Sequence, residues 1–100
     1  MRIVALSNLR AYWQRHPDSK AALLHWHSVI GDARWQKPQD ALQSFSKAKV
    51  LSRDRVRFEI EGGDFRLIAA FNFRAQIAYV KFIGTHAEYD RIDALTVSIY

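Results

Sequence analysis

Cysteine is missing from this chain, which excludes disulfide staples and thiolate metal sites. Proline occurs twice and glycine four times, so no linker, repeat or low-complexity segment divides the sequence, and residues 1–100 read as a single domain. No apolar run approaches the roughly 18 residues of a membrane span. The opening Met1-Arg2-Ile3-Val4-Ala5-Leu6 is too short for the apolar region of a signal peptide, so a cytoplasmic protein with no membrane contact is expected. There is no glycine-rich phosphate loop, no nucleophile elbow, and no serine with a histidine–acid partner pattern. His25 and His27 diverge on a helix and have no third ligand at metal spacing. Neither a metal nor a cofactor is expected.

What is present is a core and a charge. Apolar residues make up 49% of the chain, enough to exclude disorder. The net charge of +5 is high for so short a chain and favours an anionic partner: nucleic acid, an acidic protein or a membrane surface. The placement of the cations must decide among them.

Residues 1–6 read as a short strand. Ser7 or Asn8 can cap a helix carrying Leu9, Tyr12 and Trp13 at helical spacing, and Pro17 stops it. Asp18 or Ser19 caps a second helix, with Leu23, Trp26 and Ile30 on one face and Gly31 at its end. His16 fits a charge interaction at the first helix's C-terminus. Trp13, Trp26 and Trp35 are expected in the core. Pro38 suits a short helix to about Gln43 anchored by Leu42 and Phe45, and a polar, basic connection follows from Ser44 to Asp54.

The second half changes period. Residues 55–60 alternate strictly, Gly62-Gly63 signals a two-residue hairpin, and the alternation resumes at Phe65. This register pairs 60 with 65, 58 with 67 and 56 with 69. A second turn near Arg74-Ala75 returns the chain as residues 76–83, pairing 72 with 77 and 70 with 79. The expectation is α+β: an N-terminal strand and αα-hairpin packed on one face of an antiparallel meander, with a short C-terminal helix. The opposite face collects Arg55, Arg57, Glu59, Arg66, Ile68, Asn72, Ile77, Tyr79, Lys81 and Ile83. Arginines and a lysine on three neighbouring strands suit phosphate. Against that, Glu59 sits opposite Arg66 and can simply pair with it, and the isoleucines indicate that part of the face is covered.

Gly84 is expected to turn the chain into a dense polar stretch, Thr85-His86-Ala87-Glu88-Tyr89-Asp90-Arg91. His86 is a natural general acid or base, with Tyr89 on the same side of a helical turn. The plainer reading is a capped, hydrated first turn.

The run Arg55 to Asp93, above all Phe82-Ile83-Gly84-Thr85-His86-Ala87-Glu88-Tyr89-Asp90-Arg91-Ile92-Asp93, resembles the HigB toxins, relatives of the RelE toxins in type II toxin–antitoxin systems. Leu9-Arg10-Ala11-Tyr12-Trp13, His16-Pro17-Asp18 and the Trp35 region extend the resemblance over essentially the whole chain. It implies a RelE-like fold and an mRNA interferase acting at the ribosome. It also implies a HigA-type helix-turn-helix antitoxin, through which alone operator DNA would be contacted. It places catalytic positions at Arg66, Lys81, His86 and Tyr89. Residues 55–60 depart from the family, with arginine and glutamate where many relatives have apolar or amide side chains, a change that bears on substrate contacts rather than on the fold. RNA-backbone contacts are expected from Arg55, Arg57, Asn72, Arg74, Tyr79, Lys47 and Lys49. The competing reading is a non-catalytic basic module that docks RNA or protein, although Tyr79 is the single clear aromatic on the cationic face for stacking.

Overall fold

A computed structural model describes all residues, 1–100. Strand β1 (Arg2–Val4) leads into helix α1 (Leu6–Arg15), a 3₁₀ turn (Pro17–Ser19) and helix α2 (Lys20–Asp32). A second 3₁₀ segment (Pro38–Gln43) precedes β2 (Lys49–Val50), β3 (Arg55–Ile60), β4 (Phe65–Asn72), β5 (Ile77–Thr85) and helix α3 (His86–Tyr89). The strands form one sheet in the order β1-β5-β4-β3-β2. The three-stranded meander is therefore extended on both sides. β1 joins parallel to β5, with Ile3 opposite Ala78, and β2 pairs antiparallel with β3.

The helices form where the apolar spacing requires. Leu9, Tyr12 and Trp13 of α1 and Leu23, Trp26 and Ile30 of α2 are buried against the sheet. Their limits differ slightly from expectation. α1 starts at Leu6 after Ala5, and α2 passes through Gly31 to Asp32. There the N-terminal ammonium donates to the carbonyls of Ile30 (3.1 Å), Gly31 (2.9 Å) and Ala33 (3.0 Å), supplying the partners a helix end lacks. Ser19 is buried in the inter-helix turn, its hydroxyl donating to the His16 carbonyl at 2.7 Å. His16 stands at the C-terminal end of α1 and stacks on Tyr12 at 4.4 Å with its edge toward Phe65. In the 3₁₀ segment Pro38 and Ala41 are buried and Leu42 is exposed, so Leu42 is not an anchor. Phe45 does pack inward, on Phe58 at 5.1 Å.

The β3–β4 register is as expected, Ile60 facing Phe65 and Val56 facing Ala69. The connection is a four-residue loop, with positive φ at Glu61, Gly62 and Gly63. The β4–β5 register holds from Asn72↔Ile77 to Ala69↔Val80 and then shifts, so that Ile68 faces Phe82. Lys81 is the extra residue of this bulge. A one-residue shift exchanges the faces of everything beyond it. Ile83 consequently joins the core, and Phe82 takes the outer face. Gly84 does not turn the chain. It lies within β5 opposite Arg66, where a Cβ would come 2.6 Å from the Phe82 ring.

The outer face is partly roofed. Ile68 and Phe82 are buried beneath α3 and the segment after it. That segment is held by Arg55 Nη1, which donates to the carbonyls of Ala94 (3.2 Å) and Val97 (2.8 Å), and by Ile99 N–H donating to the Lys81 carbonyl (3.0 Å).

Candidate active site

Three charged side chains share one end of the outer face. Arg57 and Glu59 are two apart on β3, and Glu59 faces Arg66 across the β3–β4 ladder. Glu59 Oε1 lies 3.2 Å from Arg66 Nη1, and Oε2 lies 3.5 Å from Arg57 Nη2. The three side chains are between 12% and 23% exposed, so solvent screens them less than surface pairs. The expected Glu59–Arg66 pairing thus exists. One carboxylate answers two guanidiniums, however, and a positive charge remains. Arg66 Nε and Nη1 and Arg57 Nε are buried without a hydrogen-bond acceptor. The approach of Arg66 Nη1 to Glu59 is therefore an ion pair rather than a directed hydrogen bond. Unsatisfied cationic N–H groups on rigid strands are suited to hold an anion. Gly63 keeps the loop clear of it, since a Cβ there would meet Glu59 Oε1 at 2.7 Å.

Helix α3 forms the rim. Thr85 caps it, its hydroxyl accepting from Glu88 N–H at 3.1 Å while Glu88 Oε1 accepts from Thr85 N–H at 2.9 Å. These bonds, the Thr85 backbone first, hold the Glu88 carboxyl below its usual range. His86 N–H donates to the Asp64 carbonyl at 3.1 Å, tying the rim to the β3–β4 loop. The exposed His86 ring has Nδ1 3.1 Å from Asp90 Oδ2. With the proton on Nδ1, Nε2 faces outward as an acceptor. Tyr89 lies on the outer face between the Phe82 ring (6.4 Å) and the Arg57 guanidinium, which sits 6.0 Å from its centroid.

The other expected residues are distributed unevenly. Lys81, at the bulge, has its ammonium 5.6 Å from the Tyr79 centroid and makes no contact with the arginine pair. Lys49 faces Arg57 across β2–β3, and the Lys47 carbonyl accepts from Arg57 Nη2 at 3.2 Å, so these lysines continue the cationic surface sideways. Arg55 is engaged with the C-terminal segment. Asn72 caps the far turn, accepting from Ala75 N–H at 3.0 Å, with Arg74 beside it. Asn72 lies six positions along β4 from Arg66, about 20 Å. Two members of the site carry weaker sequence signals. Glu59 reads in the sequence only as a neutralising partner of Arg66. Asp90 is signalled by its spacing, four residues after His86 on a helical turn.

Comparison with known proteins places the chain in a family. The mRNA interferase toxin HigB of Escherichia coli (strain K12) is 26% identical over 98 residues, spanning 95% of this chain and 93% of its own. The mRNA interferase HigB of Shigella flexneri is similar to the same extent. That of Escherichia coli O6:H1 is 26% identical over 95 residues, 92% of this chain and 91% of its own. A family model described as HigB_toxin, RelE-like toxic component of a toxin–antitoxin system, matches residues 19–92. The chain belongs to the HigB toxin family, the RelE-like toxic components of toxin–antitoxin systems.

Proposed function

We propose that this toxin is an mRNA interferase, a ribosome-dependent endoribonuclease that cuts translated mRNA and so stops translation. The observation that carries the reading is the Arg57–Glu59–Arg66 cluster, two guanidiniums with unsatisfied N–H groups beside Tyr89, on the short helix that His86 begins. Its relatives are named mRNA interferases.

The chemistry that fits is transesterification within the RNA. A base removes the 2′-hydroxyl proton, O2′ bonds to the adjacent phosphorus, and the P–O5′ bond breaks as O5′ takes a proton. The products are a 2′,3′-cyclic phosphate and a 5′-hydroxyl. Arg66, with Arg57 beside it, stabilises charge on the phosphorane, and Lys81 adds positive potential from the bulge. His86 Nε2, oriented by Asp90, exchanges the proton. Tyr89 offers a ring on which a splayed base stacks. Lys47 and Lys49, with Asn72, Arg74 and Tyr79 further along the sheet, hold RNA backbone by salt-sensitive attraction. Neutralisation falls to a HigA-type helix-turn-helix antitoxin, which alone contacts operator DNA.

Primer extension on mRNA from a ribosome-programmed translation reaction tests this. Discrete new 5′ ends are expected with the parent and not with Arg66→Ala. Equal cutting by both, or none by the parent, would refute the reading.

A further inference from the structure

The segment from Ala94 to Tyr100 carries no charged side chain, in a chain whose net charge is +5. It forms neither helix nor strand, yet it crosses the face that bears the cations. One anchor is Arg55 on β3, whose Nη1 donates to the carbonyls of Ala94 (3.2 Å) and Val97 (2.8 Å). The other is on β5, two strands away, where the Lys81 carbonyl accepts from Ile99 N–H at 3.0 Å. β4 lies between them, and its Ile68 is buried there.

This crossing divides the cationic face. Arg55, Ala70 and Tyr79 make one row across the sheet, and Glu59, Arg66 and Gly84 make another. The Arg55 anchor therefore stands between the arginine cluster and the far turn at Asn72. RNA backbone leaving the cluster toward Tyr79 meets a segment whose Leu95 and Ile99 are more than half exposed. That segment has no cation to attract phosphate, and the guanidinium beneath it is occupied by carbonyls.

The hold is of a kind that phosphate can replace. A guanidinium bonds a phosphate more strongly than a neutral carbonyl, because both partners are charged. Arg55 is two residues from Arg57 on the same face of β3, about 7 Å away. A backbone that reaches one guanidinium can thus reach the other. Release of the segment uncovers Ile68 and Phe82, apolar ground that the faces of RNA bases can cover again. RNA then has different contacts with the two states, which is what a shift of population requires.

We propose that residues 94–100 are a strap that RNA displaces. In the free toxin the strap is closed over the outer face, with Arg55 bonded to it. When RNA binds, Arg55 exchanges the two carbonyls for phosphate oxygens. The strap swings off and opens one continuous path along the sheet. The proposal rests on the interferase reading for its ligand.

Amide hydrogen exchange of the full chain, with and without an uncleavable mixed-sequence 2′-O-methyl RNA, tests this. Exchange at the Ile99 amide is expected to quicken by at least about tenfold with RNA, as an open state of roughly 0.1–10% becomes the major one. Val80, inside the β4–β5 ladder, should keep its protection. Ile99→Pro removes the strap's N–H without touching a charge. It should bind the same RNA about two- to tenfold more tightly, since one hydrogen bond no longer has to break on opening. Its salt slope should be unchanged. Undiminished protection at Ile99 under saturating RNA, or equal or weaker binding by Ile99→Pro, would overturn the strap. No binding of the RNA by the parent would overturn it as well, while discrete cutting of mRNA would still uphold the interferase reading. Should the parent cut no mRNA yet lose Ile99 protection on binding RNA, the interferase reading falls and the strap stands.

Discussion

Glu59 and Arg66 face each other across β3 and β4 with Oε1 and Nη1 3.2 Å apart, and the same carboxylate also reaches Arg57. Glu59 keeps the two guanidiniums close together, and in the proposed reaction an RNA phosphate competes for them. Because the site offers a planar fork rather than a point charge, lysine is a poor substitute. Arg66→Ala is expected to lower single-turnover cleavage by roughly 10²–10³-fold and Arg66→Lys by about tenfold or more. Both should keep a cooperative thermal transition, since the side chain is not part of the core. Loss of that transition would show that the arginine holds the sheet together instead.

The 3.1 Å contact between His86 Nδ1 and Asp90 Oδ2 sets the ring's tautomer and its direction. His86→Ala removes the proposed proton carrier and should reduce cleavage by about 10²–10⁴-fold. Asp90→Asn leaves the ring in place with a weaker orienting partner, so a smaller loss, about tenfold, is expected. A rate unchanged in Asp90→Asn would mean that His86 acts without Asp90, or not at all.

How far the sequence could be read depends on where information is local. Strict alternation at residues 55–60 and Gly62-Gly63 specified the hairpin register, and the pairs 72↔77 and 70↔79 followed from it. The bulge at Lys81 was illegible because Tyr79-Val80-Lys81-Phe82-Ile83 can alternate in either register. The competition between Ile83 and Phe82 for the core side decides it, and that depends on distant residues such as Leu67. β1 carries three residues and no pairing signal of its own. The arginine cluster was legible as a shared face. The pairing of His86 with Asp90 was visible as spacing, and the roofing of the other end was not, because it depends on a long-range bond from Arg55.

Arg55 therefore belongs to stability before it belongs to RNA. Its Nη1 bonds two carbonyls about forty residues away and holds the C-terminal segment over the outer face. Arg55→Ala should cost about 1.5–3 kcal/mol in urea unfolding and expose residues 94–100 to limited proteolysis. Lys49→Ala should do neither, but should reduce the salt slope of RNA binding by about one. Arg55→Ala with unchanged stability and a reduced salt slope would reverse this assignment.

Glu88 gives the rim an acid limit. Its carboxyl titrates below its usual value because it accepts from the Thr85 backbone. A depressed folded pKa stabilises above the unfolded value of 4.5 and is lost as pH falls through the folded one. Stability of the parent should thus decline with a component below about pH 4.5 that Glu88→Gln lacks. Thr85→Ala should weaken the same component and cost about 1 kcal/mol at neutral pH. Identical acid-unfolding curves for parent and Glu88→Gln would exclude a capping contribution.

Tyr12 sets the opposite limit. Its hydroxyl is buried without a partner, and burial first, then the nearby Glu88 charge, push its pKa up to about 12 from 10.0. Between those values the unfolded chain loses the proton while the folded chain keeps it. Folding is therefore favoured fully below pH 10 and progressively less up to about 12. Phenylalanine preserves the stack on His16 and the edge contact with Phe65 and removes the unsatisfied hydroxyl. Tyr12→Phe should be as stable as the parent at pH 7, or more stable by up to about 1 kcal/mol. It should also lose less stability than the parent between pH 10 and 11 in urea titrations. A variant markedly weaker at neutral pH would show that the hydroxyl has a hydrogen-bond partner in solution.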